Sequence, residues 1–271
     1  IKLPFGQQLQ PAEITKIAVI LFIPALICTM GKEIKPWKGV IRVLAWGGFS
    51  AAVVYLITDN LSTAIIVMGI TCITIFVVHP KTKIFVGIAG VGIVLAIAGA
   101  RILGTMMETS GSFRLRRILV WLNPEKYASE GGYQIMQALY AIGSGGFFGK
   151  GLGNSAQKMI IPEVQNDMIL SIICEELGMI GAGIVIMMFV IMMWRILNSA
   201  MTSPDLFSGL ICTGVMIHIA AQVVINIAVV TNSMPSTGIP LPFISYGGTS
   251  VMILMAEMGM VLGISTKCKS T

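Results

Sequence analysis

Three of the four acids in IPEVQNDMILSIICEELGMIGAG are the first candidates for chemistry: Asp167 stands at the mouth of a long apolar run, and Glu175 and Glu176 lie inside it. A carboxylate is costly to keep at a hydrocarbon boundary, so its presence there marks a functional position by default. One aspartate near water suits general-base work if its pKa lies near or below the working pH and the proton it removes comes within hydrogen-bond reach. Glu175 and Glu176 point about 100° apart on a helix and cannot share one role; packing or polar contact is the expectation for at least one. A further acid lies in QPAEITK, where Glu13 and Lys16 are spaced to share a helix face. Glu13 can serve as a first-turn acid behind Pro11. Lys16, about one turn into the membrane, needs a partner there, so the two read as an ion pair facing the bundle interior.

The cations that could meet an anionic ligand fall in one long segment between apolar runs. Arg114, Arg116 and Arg117 precede WLNPEKY, and Lys150 lies within GSGGFFGKGLG with Lys158 just after it. Arg114, Arg117, Lys150 and Lys158 are candidates for holding a phosphorylated group, with contact to anionic lipid heads as the plainer alternative. Glycines at 143, 145, 146, 149, 151 and 153 let a backbone turn sharply and present N–H groups to an anion. With no strand before them they form no nucleotide-binding fingerprint. The spacing at 131 to 142 predicts a short helix on or in the membrane surface. The segment 232 to 249, NSMPSTGIPLPFISYGGT, carries three prolines and almost no charge, which predicts a rigid, partly buried loop.

These groups are positioned by membrane helices. Hydrophobic residues make up 55% of the 271-residue chain and charged residues 11%, and the mean hydropathy is +0.88, values outside the range of soluble domains. Apolar runs near 12 to 30, 40 to 57, 62 to 79, 84 to 103, 168 to 194, 206 to 231 and 244 to 264 predict seven spans in one all-α, polytopic membrane domain, residues 1–271. Lys32, Lys35, Lys38, Arg42, Lys81, Lys83, Arg195, Lys267 and Lys269 mark the cytoplasmic loops. The N-terminus, the long 104 to 166 segment and the 232 to 243 loop then face outward. The net charge of +6 divides between these two sides and does not point to nucleic acid. Cys28, Cys72, Cys174, Cys212 and Cys268 show neither a disulfide framework nor metal-ligand spacing. A chain that opens at Ile1 with a polar outer segment reads as a fragment of a longer protein.

QPAEITK, GYQIMQALYAIGSGGFFGKGLG, IPEVQNDMILSIICEELG and NIAVVTNSMPSTGIPLPFISYGGTS, in that order from about Gln10 to Ile264, resemble the SEDS family of shape, elongation, division and sporulation proteins, of FtsW, RodA and SpoVE type. The resemblance implies ten transmembrane helices, of which the spans here match the last seven. It implies polymerisation of lipid II into peptidoglycan glycan strands at the outer face of the bacterial cytoplasmic membrane, alongside a class B penicillin-binding transpeptidase. It places the family's catalytic aspartate on Asp167 and the acid and base of its QPSE-x-x-K motif on Glu13 and Lys16. Gln134, Ser144, Gly145 and Ser245, within the same motifs, join Glu13, Lys16, Arg114, Arg117, Lys150 and Lys158 as candidate substrate contacts. No organic cofactor is implied; a divalent cation, Mg or Mn, is compatible with a pyrophosphate leaving group.

Two positions depart from the family pattern. TDNLSTA stands where many relatives read QPDLGTA, so the family's acid falls on Asn60 with Asp59 beside it. Glu257, inside the last span, matches no family role, and an interhelical hydrogen bond is its expected use. A lipid II flippase, which would need a polar intramembrane cavity, or a non-catalytic scaffold for the division machinery, which would need only the surface, is the alternative reading.

Overall fold

The computed structural model describes residues 10–106, 113–161 and 164–268. Pro162 and Glu163 of the PEV motif, Lys269 and the side chain of Arg114 lie outside the described residues. Those described form α-helices and short 3-10 turns, with no strand among them. The helices are α1 (Pro11–Met30), α2 (Trp37–Thr58), α3 (Leu61–Val78), α4 (Thr82–Met106), α5 (Phe113–Leu122), α6 (Gly132–Gly145), α7 (Ile169–Met201), α8 (Leu206–Val230) and α9 (Gly248–Cys268). Among the described residues, six helices are long and apolar enough to cross a membrane: α1 with the turn after it, α2, α3, α7, α8 and α9. The run expected at 84 to 103 lies within the 25 residues of α4. The chain is therefore a multi-pass, all-α membrane protein.

It divides into two compact units. One takes in the described residues up to Thr82, Phe189–Gln222 and the chain from Gly247 onward; the other is Lys83–Met188 with Val223–Tyr246. In the first unit α1 packs on α2, α3 and α9, burying Ile20, Ile23 and Ile27. Gly47 is required where α2 crosses α3, because a Cβ there would run into the Thr71 side chain. The buried hydroxyls of Thr71 and Thr74 donate to the carbonyls of Val67 and Ile70, which satisfies them inside an apolar bundle.

The departure at 59 and 60 has a local explanation. Asp59 closes α2 in the left-handed region, φ 53°, and Asn60 caps α3 by accepting the Thr63 N–H at 3.1 Å. Asparagine is among the strongest N-caps, so the turn between two spans accounts for it. Glu257 behaves as expected: its carboxylate meets His218 Nδ1 at 2.8 Å, linking α9 to α8 with both side chains fully buried.

The second unit contains α4, α5, α6, the N-terminal part of α7, the end of α8 and the loop after it. The helix expected at 131 to 142 is α6. α7 is not the uninterrupted span read at 168 to 194: Gly178 breaks it with φ 69°, ψ −172°, a region open essentially only to glycine. The loop after α8 is tied down as expected. Ser233 and Met234 N–H groups both reach the Ala228 carbonyl, and Ile239, Leu241 and Ser245 are buried.

Candidate active site

Asp167 is half-buried, two residues before α7 begins. Its backbone is fixed by α8: Asn226, one turn before the end of that helix, donates its Nδ2 to the Asp167 carbonyl at 2.8 Å and to the Ile239 carbonyl at 2.9 Å. The Tyr246 N–H adds a bond to the Gln165 carbonyl at 2.8 Å. The turn that presents Asp167 is thus sewn to the proline-rich loop on both sides. From the other flank Arg117 of α5 donates to the Ser236 carbonyl at 3.3 Å, and Trp121 Nε1 to the Asn232 carbonyl at 3.0 Å. Ser236 and Ile239 are three residues apart, at most about 11 Å of extended chain. The structure therefore brings the basic helix α5, the 231–246 loop and the Asp167 turn together.

The glycine turn is placed differently. Its N–H groups do not form an open nest: Lys150 and Gly151 donate to the carbonyls of Glu175 and Glu176, both at 2.9 Å, and the carbonyls of Gly146 and Phe147 accept from Met179 and Ile180 at 2.9 and 3.2 Å. These four bonds satisfy the backbone groups freed where α7 breaks, as membrane burial demands. Close approach needs bare backbone: a Cβ at Gly145 or Gly149 would overlap the carbonyl of Cys174 or Glu176. The contacts lie about 9 Å or more of helix rise beyond Ile169, so the turn is seated on the body of α7 and not on the turn that carries Asp167. It is a plug in a helix.

Lys150 is correspondingly engaged. Its ammonium lies 2.6 Å from Glu175 Oε1 and donates to Ser144 Oγ at 2.9 Å. Glu175 is fully buried, and besides Lys150 it accepts from Ser144 Oγ, Ser155 Oγ, and the N–H groups of Ala156 and Gln157. Glu176, half-buried, points elsewhere, and its Oε1 has no hydrogen-bond partner among the described residues. The two acids thus play different parts, as their angular separation requires. Motif position alone did not show the Glu175 cluster. Two adjacent acids inside a span, with one lysine among the glycines, were the available signal.

The other sequence-derived candidates take varied positions. Glu13 and Lys16 pair at 2.8 Å in the first unit, with Lys16 2% exposed and Glu13 12%, and Ser250 Oγ of α9 donates to Glu13 Oε2 at 3.4 Å. Of the two readings open for Glu13, the pair is the one formed. Gln134 is half-buried on α6, Gly145 is buried against α7, and Lys158 is exposed beside Ser155. Ser245 is buried, its Oγ accepting from the Leu241 N–H at 2.8 Å, so it closes the proline-rich loop on itself. Among the described residues no three His, Cys, Asp or Glu side chains gather to hold a metal ion.

An all-α, multi-pass membrane protein with a half-buried aspartate at a helix mouth, flanked by an arginine helix and a rigid proline-rich loop, is the class these features define. The profile of one family, described as cell cycle proteins and spanning FtsW, RodA and SpoVE, matches residues 1–270. The chain belongs to that family. It is 36% identical over 259 residues to stage V sporulation protein E of Bacillus subtilis, covering 95% of this chain and 68% of the relative. It is also 36% identical over 277 residues to the probable peptidoglycan glycosyltransferase FtsW of Trichlorobacter lovleyi, covering 99% and 68%. Its fold is similar to a chain solved in a study of polymerization and crosslinking by a peptidoglycan synthase complex, with TM-score 0.75 and 22% identity over 97% of this chain and 72% of that one. It is similar also to the rod shape determining protein RodA of Thermus thermophilus, with TM-score 0.60 and 24% identity over 97% and 68%.

Proposed function

We propose that this chain is a peptidoglycan glycosyltransferase that polymerises lipid II into β-1,4-linked glycan strands at the outer face of the bacterial cytoplasmic membrane, with Asp167 as general base. The observation that carries the reading is the fixed presentation of Asp167: its turn is tied through Asn226 and Tyr246 to a rigid loop that also receives Arg117. The naming of curated relatives as probable peptidoglycan glycosyltransferases agrees with it.

The chemistry asks for little more. The donor sugar carries an undecaprenyl pyrophosphate, already a good leaving group, so no second carboxylic acid is needed, unlike hydrolysis between two carboxyl groups. Asp167 takes the proton of the acceptor 4-hydroxyl, whose oxygen attacks the anomeric carbon in line. The bond to the pyrophosphate oxygen breaks, its electron pair leaves with the pyrophosphate, and the axial centre inverts to the β linkage. Arg117 and Lys158 are the cations of this unit proposed to meet the departing charge, and Arg114 joins them by its place in the same helix. A class B penicillin-binding transpeptidase is the proposed partner that crosslinks the product.

The test is glycan polymerisation by the purified full-length protein with lipid II, as wild type and as Asp167→Asn, which keeps shape and removes the base. Loss of strands with folding and lipid II binding retained is the expected result; near wild-type polymerisation by the Asn variant refutes the assignment. A flippase reading draws on the buried Glu13–Lys16 pair inside α1. It requires lipid II transfer across sealed vesicles without strand growth, so the same preparations separate the two.

A further inference from the structure

We propose that Glu175 is a positioning residue for Asp167, and that Lys150 serves as its counter-ion rather than as a ligand of the substrate; the kinetic half of this rests on Asp167 being the base. Glu175 cannot act on substrate itself. It is 0% exposed, and its two oxygens already accept from the Lys150 ammonium, two serine hydroxyls and two backbone N–H groups. A carboxylate has about four lone-pair sites, so no acceptor capacity is left for a ligand.

What those five donors have in common is their place in the chain. Ser144 and Lys150 lie at the upstream end of a strap, and Ser155, Ala156 and Gln157 lie at its downstream end, so one carboxylate draws both ends onto α7. The next chain segment runs from residue 158 to 168 and carries Asp167. It starts at Gln157, held on Glu175, and ends at Ile169, the first residue of the helix that bears Glu175. Between these points it is held again at Gln165 by Tyr246 and at Asp167 by Asn226. The described residues 158–161 and 164–168 lie between two attachments to the same short helix piece, Ile169–Leu177, one at Gln157 and one at Ile169. Glu175 fixes the entry, and removing its charge frees one of the two ends.

The break at Gly178 gives this clamp its importance. In an unbroken helix the outer turns of α7 would be held by their own ladder. Here the carbonyls of Glu175 and Glu176 are held by the strap instead, so the orientation of the Asp167-bearing piece depends on the strap staying seated. The Lys150–Glu175 pair, with Glu175 wholly buried and Lys150 37% exposed, is the charged contact that seats it. A buried carboxylate stripped of its counter-ion is strongly destabilised, which couples Lys150 to Glu175 energetically.

The experiment uses the full-length protein in lipid nanodiscs, as wild type, Glu175→Gln, Lys150→Met, Lys150→Arg, the Glu175→Gln/Lys150→Met pair, and Ser155→Ala as a mild variant should Glu175→Gln fail to fold. Hydrogen exchange reads the clamp without reference to activity. Faster exchange in Glu175→Gln at 150–157 that extends through 160–168, by about tenfold or more for locally opened amides, is expected; loosening confined to 150–157, or none, overturns the proposal. Strand synthesis reads the consequence. Displacing a base by about 1 Å can cost on the order of a hundredfold, so Glu175→Gln is expected to lower kcat at least about tenfold with KM for lipid II within about twofold. Lys150→Arg retains most activity, and the double variant is no worse than Glu175→Gln alone. A raised KM with unchanged kcat in Lys150→Met, or additive losses in the double variant, makes Lys150 a substrate ligand and overturns the proposal. If Asp167→Asn remains active, the general-base reading falls, while the exchange experiment still decides whether Glu175 clamps the loop.

Discussion

Exchanging the members of the Glu13–Lys16 pair one at a time tests whether a charge inside α1 is held by its neighbour, and the structure predicts an asymmetric outcome. Lys16 is 2% exposed and Glu13 12%, with 2.8 Å between them. Glu13 has a further donor, Ser250 Oγ, at 3.4 Å. Glu13→Gln strands an ammonium that is nearly sealed from water, and breaking a buried pair in this way costs about 3–5 kcal/mol. Lys16→Met strands the more exposed member, which keeps its serine and gains access to water, so its cost is expected nearer about 2 kcal/mol, the scale of one lost charged hydrogen bond. Replacing both, Glu13→Gln with Lys16→Met, removes the stranded charge and is expected to recover most of the larger loss, because buried ion pairs contribute little beyond an apolar replacement. The assay is chemical denaturation in mixed micelles, with all four proteins measured under identical lipid and salt. The reasoning is refuted if Lys16→Met proves the more damaging single change, or if the double variant is no more stable than Glu13→Gln.

Three other substitutions follow from local geometry. Gly178→Ala forces a side chain onto φ 69° and against the Gly149 nitrogen and Phe147 carbonyl; backbone strain of about 1–3 kcal/mol joins the loss of strap hydrogen bonds worth about 1 kcal/mol each. A thermal midpoint unchanged from wild type would count against the break, and Gly149→Ala should behave similarly. At the turn between α7 and α8, Asp205 accepts the Ser208 N–H and hydroxyl, both at 2.9 Å, which holds its carboxyl below the usual range, the backbone bond first and the hydroxyl second. A lowered folded pKa gives stabilisation that is present above the unfolded value, about 3.9, and lost as pH falls through the folded one. The midpoint difference between wild type and Asp205→Ala should therefore be largest near neutral pH and shrink in acid, and a difference that grows in acid contradicts the cap.

Much of this fold was readable from periodicity and charge. Six of the spans, the short helix α6, the loop read at 232 to 249 and the Glu13–Lys16 pair each follow from local rules: an apolar run of bilayer length, an i, i+3 spacing, or prolines without charge. Glu257 was readable as a buried acid in need of a partner, although nothing in the spacing named His218, 39 residues away. The break in α7 was not readable. ELGMIGAG continues an apolar helix by any local measure, and glycine inside a span is common. What makes the break stable is a set of partners supplied by residues 146–151, a long-range match that no window of sequence contains. The same applies to Lys150: surrounded by glycines, it looks like an anion ligand until its partner 25 residues on is known.

The seating of the strap fixes a count as well as a shape. Gly146 and Phe147 meet Met179 and Ile180, and Lys150 and Gly151 meet Glu175 and Glu176, so each side has two anchor pairs four residues apart. An insertion or deletion of one residue between 146 and 151, or between 175 and 180, would throw one anchor out of step with the other while leaving composition and charge intact. Relatives of this chain should therefore differ freely in length elsewhere in the long segment between α4 and α7 yet keep these two intervals invariant, and an alignment that opens a gap in either one has misplaced the helix break.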